Sequence, residues 1–301
     1  MAWISNAQKL SAEPDVPADL ESSNNALDSD HSLPKPSLTI TCTDSPQMLV
    51  GTKKLGVVAK CGDDSAHSIA SLAKVITALV VLDSVENDAE LDQTITIDTE
   101  DMGYLAVSNN EGGTSMQVFE GETFSKRLCL QGMILASANN LANTLVRNQF
   151  GSLEAYREKA LEYLSRHSIE GVEIGNDASG LDNGTKARPS QLFEIAKLAM
   201  DNPTLAATVQ LRSIEFPTVF SGGELTETIT NGNSLIEVGF NGIKIGYTDE
   251  AGRCILFSRN VEDSDDLIIG MTLGDKNDAN GFSFVDAQNI SYQLELALES
   301  M

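Results

Sequence analysis

The sequence predicts an α/β fold, an antiparallel β-sheet flanked by helices with a helical subdomain inserted. Three observations predict it. Short strand-like runs occur near residue 40 and again in the last third of the 301-residue chain. A nearly continuous apolar helix follows the first runs. A mostly helical block, from about residue 91 to 209, then separates that helix from the later strands. A sheet with helices on its faces and a helical insert accounts for this order.

Residues 1–37 mix Ser, Asn, Asp, Glu and Pro with little periodicity and end in Pro34-Lys35-Pro36. They read as a disordered acidic tail or linker. Residues 38–301 read as the folded domain. Leu38 to Cys42, Gln47 to Gly51 and Leu55 to Lys60 have the composition of short strands. From Ser71 to Ser84, Leu72, Val75, Ile76, Leu79 and Leu82 fall at the helical i, i+3, i+4, i+7 spacing. The remaining positions are also largely apolar, which places this helix centrally, covered on more than one side.

Within the helical block, Phe124 to Ala136, Asn139 to Phe150, Leu153 to His167 and Pro189 to Met200 are predicted helices. Pro189 fits a first helical position. Two loops interrupt them, the Gly-rich Asn109 to Thr114 and the turn-former-dense Asn176 to Gly184. Gly242 to Thr248, Arg253 to Asn260 and Leu267 to Leu273 then read as a strand meander, with turns at Asp249 to Gly252 and Val261 to Asp266. A last helix is predicted from Val285 to Leu298.

Composition narrows the function. The hydrophobic content, 41%, is enough for a sizeable core, and with aromatics at only 5% aliphatic side chains must fill most of it. Forty-four acids against 20 bases give a formal charge of -24. Such a surface argues against nucleic-acid binding, which needs cations to neutralise phosphates, and against electrostatic attachment to anionic membranes. No run of about 18 apolar residues spans a bilayer. No apolar h-region follows the N-terminus, so the protein is either cytoplasmic or exported by a segment absent from this chain. No Cys-x-x-Cys pair occurs among the four cysteines, which excludes zinc ribbons and dithiol redox motifs. Cys61, Cys129 and Cys254 read as buried thiols, and a Cys42–Cys61 bridge is the alternative if the protein is exported. With three histidines, a His-based zinc site is not expected, and neither a metal nor a cofactor is assigned. Asp275, Asn277, Gly281 and Asp286 depart from a calcium loop and read as a plain turn.

A serine hydrolase this poor in histidine needs another base. Ser71-Leu72-Ala73-Lys74 supplies one, because the two side chains lie a turn apart on one helix face. Burial lowers a lysine pKa, and a neutral lysine can take the serine proton. A second Ser-x-x-Lys, at Ser32 to Lys35, lies in the polar tail and reads as accidental. Ser137-Ala138-Asn139 breaks two apolar helical segments; it reads either as a helix cap or as a hydroxyl and an amide facing the nucleophile. Lys244-Ile245-Gly246 places a lysine in an apolar strand beside a glycine that lets another backbone approach.

In that order and context, these three elements resemble the Ser-x-x-Lys, Ser-x-Asn, Lys-Thr-Gly signature of penicillin-binding proteins and serine β-lactamases. The flanking Ile69 to Ala78, Asp177 to Leu181 and Gly242 to Gly252 resemble the low-molecular-weight D-alanyl-D-alanine carboxypeptidases more specifically. The likeness runs from about residue 45 to 299. It implies a penicillin-binding transpeptidase/β-lactamase-like fold. The implied reaction is serine-type carboxypeptidase chemistry on peptidoglycan stem peptides ending in D-Ala-D-Ala, with β-lactams as covalent inhibitors. It also implies a place on the outer face of the cytoplasmic membrane or in the cell wall, with membrane attachment only through a segment absent from this chain.

The roles implied are Ser71 as nucleophile, Lys74 as base and Ser137 as proton relay near Lys244. Asn139 would bond the substrate's peptide, and the Ser71 and Tyr247 N–H groups would form the oxyanion hole. Lys244, Ile245, Gly246 and Tyr247 complete the substrate-binding strand. One departure stands out. The family carries a hydroxyl where this chain has Ile245, so recognition of the terminal carboxylate is expected to be weaker unless Thr248, Arg253 or Arg188 compensates. A non-catalytic peptide-binding or sensor domain of the same fold remains the alternative. A β-lactamase is the other, though no Glu-x-x-Leu-Asn segment is evident.

Overall fold

The computed structural model describes residues 34–220, 223–276 and 284–301. The chain opens with β1 (Gln47–Thr52), β2 (Gly56–Cys61) and the two-residue β3 (His67–Ser68). A 3-10 turn, Ala70–Leu72, leads into α1 (Ala73–Ser84). Then follow β4 (Thr94–Thr96), α2 (Thr99–Asn110), β5 (Thr123–Ser125), α3 (Lys126–Leu135), α4 (Asn139–Phe150) and α5 (Leu153–Arg166). Next come β6 (Lys186–Ala187), α6 (Pro189–Asp201), α7 (Pro203–Val209) and a hairpin of β7 (Ser213–Phe220) with β8 (Gly223–Thr230). The chain closes with β9 (Ile243–Thr248), β10 (Gly252–Asn260), β11 (Leu267–Asp275) and α8 (Val285–Glu299).

The main sheet has five antiparallel strands in the order β2-β1-β11-β10-β9. Period-2 alternation divides its side chains between two cores. Leu49, Leu256, Ile269, Met271 and Leu273 join the large core with α1 and the helical block. Met48, Val50, Ile255, Phe257 and Ile268 pack with Ala287, Ile290 and Leu294 of α8 on the other face. α1 is buried from Ala73 to Leu82, consistent with its nearly all-round apolar sequence.

Several expectations need correction. Leu38 to Cys42 forms no strand; the segment is irregular, although Ile40 is buried in the core under α8. Pro34 and Pro36 before it and Pro46 after it lack N–H groups, so a ladder could not extend beyond the segment on either side. Cys61 is not a free thiol but is bridged to Cys42. Cys129 and Cys254 are free and buried, and burial pushes their thiols up to about 12 and about 11. The short strands β4, β5 and β6, the helices α2 and α7, and the β7–β8 hairpin are not among the expected elements. α2 starts at a capping box in which the Asp98 carboxylate accepts from the Asp101 N–H and Asp101 accepts from the Asp98 N–H. Of the expected tail, residues 1–33 lie outside the described residues, as do Asn277 and Gly281 of the candidate calcium turn. Lys35 and Pro36 pack on the domain, with Lys35 Nζ donating to the Val57 carbonyl at 2.9 Å.

Candidate active site

A cleft of about 850 Å³ opens between the edge strand β9 and the loops of the helical block. Ser71, Ser137, Asn139, Lys244, Ile245 and Gly246 all line it, together with Tyr247 and Thr248. The three sequence elements, spread along the chain from Ser71 to Gly246, therefore meet at one place.

Ser71 sits in the 3-10 turn that opens α1. The preceding Ala70 has φ +46, a left-handed backbone that an alanine adopts only under constraint. The constraint is close packing on both sides. A Cβ on Gly246 would lie 2.7 Å from the Ser71 nitrogen, and one on Gly180 would lie 2.1 Å from the Ala70 carbonyl oxygen. Glycine at both positions lets β9 and the 176–184 loop clamp the serine turn.

Lys74 is fully buried, with Nζ 2.8 Å from Ser71 Oγ. Its N–H groups have two further partners, Asn139 Oδ1 at 2.7 Å and the Ser179 carbonyl at 3.1 Å. Both of those are oxygens that only accept. A neutral amine has two N–H donors and one lone pair, so donating to these two acceptors turns the lone pair towards Ser71. The electrostatics agree. Burial, reinforced by the charge of Lys244 and partly opposed by Asp177, holds Lys74 well below the ordinary lysine range.

Two loops and a helix support that lysine. The Asp177 carboxylate accepts from the N–H groups of Ser179, Gly180 and Asp182, and Asn143 Oδ1 accepts from the Ala178 N–H. The Thr77 hydroxyl donates to the Ala178 carbonyl. This stretch thus presents the Ser179 carbonyl to Lys74 from a fixed position. On the other side, α2 brings Ser108 to accept from Asn139 Nδ2 at 3.1 Å. Gly113 leaves room for that amide, since a Cβ there would sit 2.4 Å from Nδ2. Asn139 thus holds Lys74 and keeps one N–H with no partner among the described residues.

Ser137 lies in the break between α3 and α4 with φ +59. Its hydroxyl has no partner among the described residues and faces the cleft. Lys244 is 3% exposed, donates to the Ile245 carbonyl at 3.0 Å, and is brought down to about 7 by burial. Tyr247 exposes its ring, which Arg253 covers at 5.1 Å, and donates its hydroxyl to Asp249. The compensating groups considered for Ile245 are differently placed. Thr248 lines the cleft, but its hydroxyl donates to Asn183 Oδ1 at 2.5 Å. Arg188 donates to the Glu170 carbonyl beside α6, and neither arginine lines the cleft. Sequence reasoning did not single out Ser108, Thr77, Asn143 or Asn183. For Asn143 and Asn183 the available signal was polar residues in apolar or turn-rich surroundings.

Among the described residues, no group of three or more His, Cys, Asp or Glu side chains is arranged to hold a metal ion. No helix among them is long and apolar enough to cross a membrane.

Residues 41–277 match the model of the D-alanyl-D-alanine carboxypeptidase family, peptidase S11. The D-alanyl-D-alanine carboxypeptidase DacB2 of Mycobacterium tuberculosis is 30% identical over 213 residues, covering 69% of this chain and 64% of that protein. The chain thus spans just under two thirds of that relative's length. A crystal structure of a D-alanyl-D-alanine carboxypeptidase from M. tuberculosis superposes with a TM-score of 0.73 at 23% identity, covering 87% of this chain and 96% of the other. A Streptomyces DD-transpeptidase superposes with a TM-score of 0.73 at 20% identity, covering 88% of this chain and all of the other. These two likenesses establish the fold.

Proposed function

The chain belongs to the D-alanyl-D-alanine carboxypeptidase family, and on that premise we propose that it is a serine-type carboxypeptidase acting on peptidoglycan stem peptides that end in D-Ala-D-Ala. The observation that carries this reading is a fully buried lysine, held well below its ordinary range by that burial, with its Nζ 2.8 Å from a serine hydroxyl at the cleft. Lys74 takes the Ser71 proton as Oγ attacks the carbonyl of the penultimate D-alanine. The Ser71 and Tyr247 N–H groups receive the oxyanion, and the tight approach of Gly246 to the Ser71 nitrogen supports that placement. The unpartnered Ser137 hydroxyl passes a proton to the departing D-alanine amine, with Lys244 setting the local charge. Water then releases the peptide from Ser71. β-Lactams enter the same path and stall as acyl-enzymes.

We place the protein on the outer face of the cytoplasmic membrane or in the cell wall. The Cys42–Cys61 bridge supports an oxidising compartment. Family membership and the Lys74 geometry favour an enzyme over a peptide-binding sensor, the reading that Ile245 motivates. Release of D-alanine from an acylated D-Ala-D-Ala peptide separates them. Turnover that disappears in Ser71→Ala is the expected result; tight peptide binding with no D-alanine released would establish the sensor instead.

A further inference from the structure

We propose that Asn183 is a substrate-binding residue whose side-chain NH₂ group receives the terminal carboxylate of the peptide, in place of the hydroxyl that Ile245 lacks. The proposal rests on the carboxypeptidase reading above. Asn183 lines the cleft with Ile245, Tyr247 and Thr248. It is half-buried, at the end of the 176–184 loop, in the left-handed region with φ +57.

Two hydroxyls fix its amide. Ser68 Oγ donates to Asn183 Oδ1 at 3.1 Å and Thr248 Oγ1 donates to it at 2.5 Å. Both contacts place the amide oxygen against the two hydroxyls. Thr248 Oγ1 also accepts from the Ala251 N–H at 3.1 Å, and its one proton goes to Asn183. With the oxygen anchored twice, the nitrogen is held by the side chain's own geometry. Its two N–H donors have no partner among the described residues.

The lining is short of strong partners for an anion. No arginine lines the cleft, the Thr248 proton is spent, and Glu111 and Asp249 in the lining repel a carboxylate. Lys244 supplies attraction but, with its pKa at about 7, only part of the time at neutral pH. Asn183 offers a positioned two-donor amide in the same lining as Ile245, suited to orient the anion.

The test is equilibrium binding by calorimetry, made independent of turnover by a Ser71→Ala background. The probes are an acyl-D-Ala-D-Ala peptide with a free carboxylate and the same peptide as a C-terminal carboxamide. Asn183→Asp keeps an acceptor for both hydroxyls but removes the donors. It is expected to weaken free-acid binding about 10-fold or more, as loss of a hydrogen bond to a charged group should. The carboxamide should change about twofold or less, and Ile245→Thr in that background should restore much of the loss. Asn183→Ala removes the donors without adding charge and should show the same selectivity in weaker form. Equal weakening of both peptides, or none, overturns the proposal, as does failure of the free acid to bind at all. If binding behaves as expected but the unmutated protein releases no D-alanine, the carboxypeptidase reading fails while the Asn183 assignment stands.

Discussion

Lys74 is poised by what it can and cannot donate. The oxygens of Asn139 and Ser179 use two N–H groups, and a third would have to point at a hydroxyl whose proton must leave. Replacing Asn139 by aspartate puts an opposite charge where the amide oxygen now sits at 2.7 Å, which favours the ammonium. At neutral pH Lys74 should then be protonated, and penicillin acylation should fall by about 100-fold or more. It should recover as pH rises through the raised pKa. In the unmutated protein the base is lost in the same direction but only at lower pH, as pH falls through a lysine pKa already well below its usual value. Acylation rates across pH for both proteins check this; coincident profiles would refute it. Lys244 works against that trend, since its charge fades as pH rises through about 7. The KM for a free-acid peptide should therefore climb above that pH while that of its carboxamide does not. Ile245→Thr should improve acylation by roughly 10-fold through a restored bond to the carboxylate; no gain in a stopped-flow acylation rate would remove that claim. The residues that meet in the cleft were legible because their types and order are unusual in apolar surroundings. Their supports were not. Asn139 meets Lys74 across 65 residues and Ser68 meets Asn183 across 115. Nothing local in sequence announces such pairs.

The element that lines the cleft is β9, an edge strand whose one ladder partner among the described residues is β10. Its free edge suits an extended peptide laid alongside as a further strand. The strand's approach to the serine turn depends on Gly246, because a methyl group there would meet the Ser71 nitrogen at 2.7 Å. Gly246→Ala should push β9 away and lower kcat/KM by about 100-fold, the effect of a misplacement near 1 Å. The thermal midpoint should change little, since an edge strand can shift without opening the core. Activity within a few-fold of the unmutated protein would show that the approach is not needed. At this scale the long periodic helices and the late meander were readable from apolar spacing. α2 has almost no apolar face and announces itself only by its cap, Asp98 and Asp101. The Leu38 to Cys42 run has strand-like composition yet lies beside prolines and takes its order from packing, with Ile40 buried under α8.

Across the molecule, the sheet separates two cores, and the cleft lies beside its β9 edge. The Cys42–Cys61 bridge ties the segment before β1 to the opposite edge strand, β2. Closing a loop of 19 residues is worth about 3 kcal/mol on the chain-entropy account. Reduction, or Cys42→Ser with Cys61→Ser, should lower stability to denaturant by about that amount and leave acylation largely intact, because the bridge is remote from β9. Unchanged stability would mean the bridge does not restrain the unfolded chain. The pairing was open in the sequence because spacing alone does not decide between a bridge and two thiols. The α/β order was legible at this scale because apolar periodicity changes twice along the chain. The central claim, that Ser71 is a nucleophile activated by a neutral Lys74, is tested most directly by intact-protein mass spectrometry after incubation with a penicillin. The unmutated protein should gain the mass of one penicillin, and Ser71→Ala, equally folded, should gain none. An adduct that persists in Ser71→Ala, or no adduct on the folded unmutated protein, would contradict it.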